Sequence, residues 1–137
     1  MNKEIVLTYF EPFGGRETNT SEEVVSQLST YFSFELPVSW ENAGKVLLEN
    51  LPKETKYLFL VGEAKSYHDV TVELVARNLA SGIDNNGVKK EETIGENNLI
   101  TPIVFGKKDL SVNYSYNAGK YLCNYIYYFS LKNIKGQ

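Results

Sequence analysis

The chain has 137 residues, enough for a single domain over residues 1–137 with one hydrophobic core and no need of disulfides or a structural metal. Its formal charge of −3 lacks the basic surface that nucleic acid requires, and no apolar run approaches the length of a membrane span. One cysteine, Cys123, excludes an intrachain disulfide, and an opening without the apolar run of a secretion signal leads us to expect a cytoplasmic protein with a reduced thiol.

Glu4 to Tyr9 is short, apolar and β-branched, and reads as a buried strand. The loop FEPFGGRETN follows. Ser21 or Thr20 is expected to cap a helix, with Glu22 and Glu23 in its first turn and Val24, Val25, Leu28, Tyr31 and Phe32 at helical spacing. A second strand is expected over Phe34–Val38. A second helix is expected from about Glu41, with Ala43, Leu47 and Leu51 on one stripe and Trp40 at its start.

Tyr57–Val61 reads as a buried strand closed by Gly62, and Asp69–Leu79 as another strand. Ser81 to Asn98 is polar and rich in glycine and asparagine, which predicts a long loop. Leu99–Phe105 and Val112–Tyr116 are further strand candidates. The last helix is expected from about Ala118, with an apolar stripe through Tyr121, Leu122, Tyr125, Ile126 and Phe129.

Apolar strands alternating with helices predict an α/β fold, a three-layer α/β/α sandwich on a largely parallel sheet. Ligands of such sheets bind beyond the carboxyl ends of the strands. The loop after the first strand, the turn after Gly62 and the segment before the last helix are therefore the expected walls of a site.

No GxGxxG, P-loop, GxSxG or HExxH pattern is present, and one histidine with one cysteine does not make a transition-metal site. The chemistry then turns on Cys123. In an apolar, aromatic helix it reads as a small core residue, or as a nucleophile if the helix N-terminus lowers its pKa. Glu73 lies among Val70, Val72, Leu74 and Val75. It is either a surface or ion-paired carboxylate, with Arg77 as partner, or the orienting group of a catalytic base. His68 sits in the polar stretch SYHD and reads as an exposed side chain. Phe10 and Phe13, beside Gly14 and Gly15, either pin their loop or sandwich a flat ligand.

Three ordered motifs make the chain resemble the pyroglutamyl peptidase I family. They are TYFEPFGGRETN, with Phe10 to Gly15 and Asn19; ELVARNLASGIDNNG, with Glu73, Asn78, Asp84, Asn85 and Gly87; and YSYNAGKYLCNY, with Asn117 to Gly119 and Tyr121 to Asn124. The resemblance implies a cysteine peptidase that removes an N-terminal pyroglutamyl residue. Its partner is then a peptide bearing that residue, or a similar small lactam. No metal, no cofactor and no nucleic-acid or membrane partner is expected from the composition and motifs, and the resemblance adds an expectation of self-association into a homo-oligomer. It implies Cys123 as nucleophile, Glu73 as orienting carboxylate, and Phe10, Phe13 and Asn19 at the substrate.

The family's histidine follows the cysteine, whereas here no histidine comes after Cys123. Gly82 stands where the family has an arginine, and Ser66-Tyr67 where it has Gly-Arg. His68 is the substitute base the sequence offers. A non-catalytic paralogue that binds a lactam or a blocked peptide N-terminus is the alternative reading, and a chain missing the family's C-terminal segment is a further expectation.

Overall fold

A computed structural model describes residues 1–64, 69–103 and 112–134. Its centre is a parallel sheet of three strands in the order β2-β1-β3, with β1 at Asn2–Phe10, β2 at Tyr31–Leu36 and β3 at Tyr57–Leu60. β1 is the middle strand, flanked on both edges. Its residues Val6, Leu7 and Thr8 are buried, as an apolar run in a parallel sheet should be.

Helix α1 is Thr20–Ser26, and its cap is Asn19 rather than Ser21 or Thr20. Asn19 Oδ1 accepts the Ser21 N–H at 2.9 Å and the Ser21 hydroxyl at 2.6 Å. The Ser21 oxygen is engaged elsewhere, accepting the N–H of Phe10 at 3.0 Å where β1 ends. The helix stops at Ser26, so Tyr31 and Phe32 belong to β2 and not to its stripe. Their aromatic rings suit a pleated strand, and the apparent helical spacing does not survive the turn between. Helix α2 is Ala43–Asn50.

The stretch 69–79 is divided, because its backbone changes partner. β4 (Thr71–Glu73) pairs in parallel with β9 (Asn113–Ser115). β5 (Val75–Ala76) pairs antiparallel with β8 (Leu99–Ile100). The expected long loop after Ser81 is instead a hairpin of β6 (Leu79–Ile83) and β7 (Lys89–Thr93), paired from Leu79↔Thr93 to Ile83↔Lys89. β7 reads KKEET and is mostly exposed, so it carries no hydrophobic signal; its partner strand holds it. Of the expected strand Leu99–Phe105, Val104 and Phe105 lie outside the described residues.

The last helix, α3, is Leu122–Asn133 and not the longer helix expected from Ala118. Gly119 has a φ of +83°, a left-handed conformation that suits glycine. Asn117 Oδ1 accepts the Gly119 N–H at 2.9 Å and so closes a turn where the helix was expected to start. α2 and α3 pack on each other and on the sheet, while α1 packs on β1. The core joins Phe10, Leu36, Val38 and Trp40 to Ala43, Leu47, Leu122 and Ile126. The molecule is thus an α/β protein built on a parallel sheet.

The hairpin is tied to this core through Asp84, which is 5% exposed. Its carboxylate accepts N–H groups from Trp40, Asn86 and Val88, each at 2.9 Å. Burial pushes its pKa up, but the three donors prevail and hold it below the ordinary 3.8. Asp84→Ala is expected to cost about 2 kcal/mol or more, since those donors lose their acceptor. The Asp84 contribution should be complete above pH 3.8 and fade as pH falls through the lower folded-state value. Urea unfolding read by the fluorescence of Trp40, the chain's one tryptophan, at neutral and acid pH checks both.

Candidate functional site

Three segments meet at the carboxyl end of the central sheet: the loop after β1, the turn after β3 and the start of α3. Asn124, fully buried, fixes the last of these. Its Oδ1 accepts the Arg77 N–H at 2.7 Å, and its Nδ2 donates to the carbonyls of Arg77 at 2.8 Å and Leu79 at 3.1 Å. Its neighbour Cys123 is the second residue of α3 and keeps part of its surface open.

The thiol rests on the backbone of Gly62. A Cβ at that position would stand 2.5 Å from Sγ, closer than atoms approach. The backbone N–H groups of Glu63 and of Cys123 lie close enough to Sγ to favour its thiolate form. Burial nevertheless pushes the thiol up to about 11, and the carboxylates of Glu63 and Glu73 add to the rise against the two N–H donors. The helix N-terminus alone does not make this thiol acidic.

Glu63 is itself anchored. One carboxylate oxygen pairs with the Arg16 guanidinium, and the other accepts the Thr20 N–H at 2.9 Å. Burial raises its pKa, but the Thr20 and Arg16 contacts outweigh that and leave it below the ordinary carboxylate value. Glu73 ends β4 and is half-buried, near enough to Cys123 for its charge to act on the thiol. Its carbonyl accepts the Tyr127 hydroxyl at 2.7 Å, one helical turn beyond Cys123.

Phe13 is half-buried, with its ring 5.8 Å from that of Tyr121 at 50°. Phe10 lies in the core at 3% exposure, behind the loop that carries Phe13. Asn19, at 1%, caps α1, and its Nδ2 donates to the Glu11 carbonyl at 3.2 Å. His68 lies outside the described residues, as do Ser66 and Tyr67. Arg77 reaches Asn117 Oδ1 at 3.4 Å.

Sequence reasoning placed a wall after Gly62 but did not single out Arg16, Glu63, Trp40 or Tyr121 as site residues. The signal for Glu63 was its position three residues past the end of the parallel strand β3. Tyr121 looked like one member of an apolar stripe. Its ring instead meets Trp40 edge-on at 5.5 Å, and its hydroxyl donates to the Ile83 carbonyl at 2.6 Å.

A cleft of about 370 Å³ runs along the hairpin between Ser81, Glu91 and Lys120, and one of about 230 Å³ lies between Trp40, Gly44 and Phe129. Cys123 lines neither, so donors and charges rather than cavity size define the site. No cluster of His, Cys, Asp and Glu able to hold a metal ion occurs among the described residues. No helix among them is long and apolar enough to cross a membrane.

The sequence profile described as pyroglutamyl peptidase matches residues 3–137. A pyrrolidone-carboxylate peptidase of Thermococcus kodakarensis is 30% identical over 96% of this chain and 73% of its own length. One from Bacillus velezensis is 31% identical over 93% of this chain and 69% of its own. Among solved structures, the pyrrolidone carboxyl peptidase of Thermus thermophilus superimposes with a TM-score of 0.85 at 28% identity, covering 96% of this chain and 79% of that one. Pyroglutamyl peptidase I of Bacillus amyloliquefaciens gives 0.85 at 29%, covering 97% and 75%.

The rate of alkylation of Cys123 is expected to be still climbing with pH at the ordinary thiol value of 9.0. Gly62→Ala should drive Sγ off the Glu63 N–H and push the profile further up. A wild-type rate that levels off below 9.0 would contradict this account of the thiol.

Proposed function

The chain belongs to the pyroglutamyl peptidase family, and we propose that it releases the N-terminal pyroglutamyl residue of a peptide with Cys123 as nucleophile. The observation that carries this reading is the thiol at the start of α3, resting on the backbone of Gly62, with Glu73 near enough for its charge to act on it. A thiol so placed can form a bond from Sγ to the carbonyl carbon that follows the lactam ring. The C–N bond then breaks, the amine departs with a proton, and water hydrolyses the thioester. The N–H groups of Glu63 and Cys123 are the available donors for the oxygen that gains charge at the tetrahedral stage.

Glu73 serves as the orienting carboxylate near the thiol. Phe13 with Tyr121 supplies aromatic surface for the flat ring, while Phe10 and Asn19 hold the loop that carries Phe13. The proton must pass to a base, because a thiol near 11 is almost wholly protonated at neutral pH. His68 is the chain's one histidine and the first residue to test in that role. The raised thiol also favours a second reading, in which the chain binds a lactam or a blocked peptide N-terminus without cleaving it.

Release of aminocoumarin from its pyroglutamyl derivative decides between them. Turnover that falls by about a thousandfold or more in Cys123→Ala supports the peptidase. A similar fall in His68→Ala identifies the base. Turnover unchanged in Cys123→Ala rejects Cys123 as nucleophile. No turnover together with measurable binding of free pyroglutamate supports the second reading.

A further inference from the structure

The loop after β1 makes a tight turn in which the Arg16 N–H bonds the Phe13 carbonyl at 3.3 Å, with Gly14 and Gly15 at positive φ between them. That turn brings Arg16 back towards β3, where it pairs with Glu63. The Glu63 side chain is only 11% exposed, against 37% for Arg16, so this is not an ordinary surface pair. A carboxylate so covered, left without its cation, would be costly. The same residue holds the Thr20 N–H at 2.9 Å on its side chain, and its own backbone N–H lies near enough to Cys123 Sγ to favour the thiolate. Gly62, the residue before Glu63, lies against the thiol with no side chain of its own.

We propose that Arg16 and Glu63 form a positioning pair for Cys123. The guanidinium pins the carboxylate, so that the Glu63 N–H stays on Sγ, and it balances the negative charge beside the thiol. In doing so it also sets the distance between the Phe13 ring and the nucleophile, because Phe13 and Arg16 share one turn. Its bearing on catalysis rests on the reading of Cys123 as nucleophile; its effect on the thiol does not. Among the described residues, the other ionisable groups facing Sγ are Glu73 from β4 and the Tyr121 phenol ahead of α3. The variants below leave both unchanged.

The test is the pH profile of Cys123 alkylation by iodoacetamide in the full chain, where the single cysteine makes the signal unambiguous. Arg16→Ala leaves the Glu63 charge unbalanced, so the profile moves to higher pH and the neutral-pH rate falls by about threefold or more. Glu63→Gln removes that charge from beside the thiol, so the profile moves to lower pH and the rate rises by a similar factor. Arg16→Lys keeps the cation and the wild-type profile.

Opposite shifts are the signature, because a pair that merely fastened the loop would move both variants in one direction. Shifts of the same sign, or none, in variants whose Trp40 fluorescence is native overturn the proposal. If Arg16→Ala does not fold, Arg16→Lys and the double change Arg16→Ala with Glu63→Gln stand in for it. The double change should fall between wild type and Glu63→Gln. A wild-type chain without pyroglutamyl turnover rejects the functional reading but leaves these shifts in place. Normal turnover with flat profiles rejects the pair alone.

Discussion

The amide of Asn124 is the constraint on which the site depends. It is fully buried and meets three backbone groups of residues 77–79, one at Oδ1 and two at Nδ2. Any rotation or slide of α3 would leave buried polar groups unmatched, at about 1–3 kcal/mol each. The first turn of α3 is therefore locked to the segment between β5 and β6. Cys123, one residue earlier, inherits that lock. Its thiol has no freedom to leave Gly62 unless the helix moves or the side chain rotates.

Within that fixed frame the thiol is pulled in two directions. The helix start and the Glu63 N–H favour the thiolate, and two carboxylates with burial oppose it. Burial is the largest of these influences, so the free protein holds a protonated thiol. The arrangement suits a nucleophile ionised only when a base is in reach, and it suits a recognition site that never ionises. The same geometry underlies both readings of function, which differ in the fate of one proton.

Much of this was legible in the sequence, and what was not has physical reasons. The strand β1 is an apolar run bounded by turn residues, so its burial is written in its composition, whereas β3, expected to be buried, lies at the sheet edge with Tyr57 and Phe59 exposed. β7 is written nowhere in composition: KKEET is held by five paired positions with β6, a tertiary cause. The start of α3 was misplaced because Ala118 continues the apolar periodicity, while the turn at Asn117–Gly119 is closed by an asparagine side chain that periodicity does not register. That small shift has a large consequence, since it moves Cys123 from the interior of a helix to its second position. The ion pair of Arg16 and Glu63 joins residues far apart in the chain and was invisible until the loop and β3 were placed together.

Gly82 shows how a glycine can shape a site without adding a functional group. It stands at φ +128°, and a Cβ there would lie 2.8 Å from the Tyr121 ring. Its carbonyl accepts the Trp40 indole N–H at 3.2 Å, while the neighbouring Ile83 carbonyl takes the Tyr121 hydroxyl. The ring of Tyr121 thus occupies space that a longer side chain at position 82 would claim, and it is held there at both its face and its tip. Tyr121 directly precedes Leu122 and Cys123, so the aromatic surface and the thiol lie on one short covalent segment. Their separation is then set by the backbone entering α3, and it does not depend on the hairpin remaining in a single position. What the hairpin supplies is the orientation of the ring, through a glycine that gives way to it.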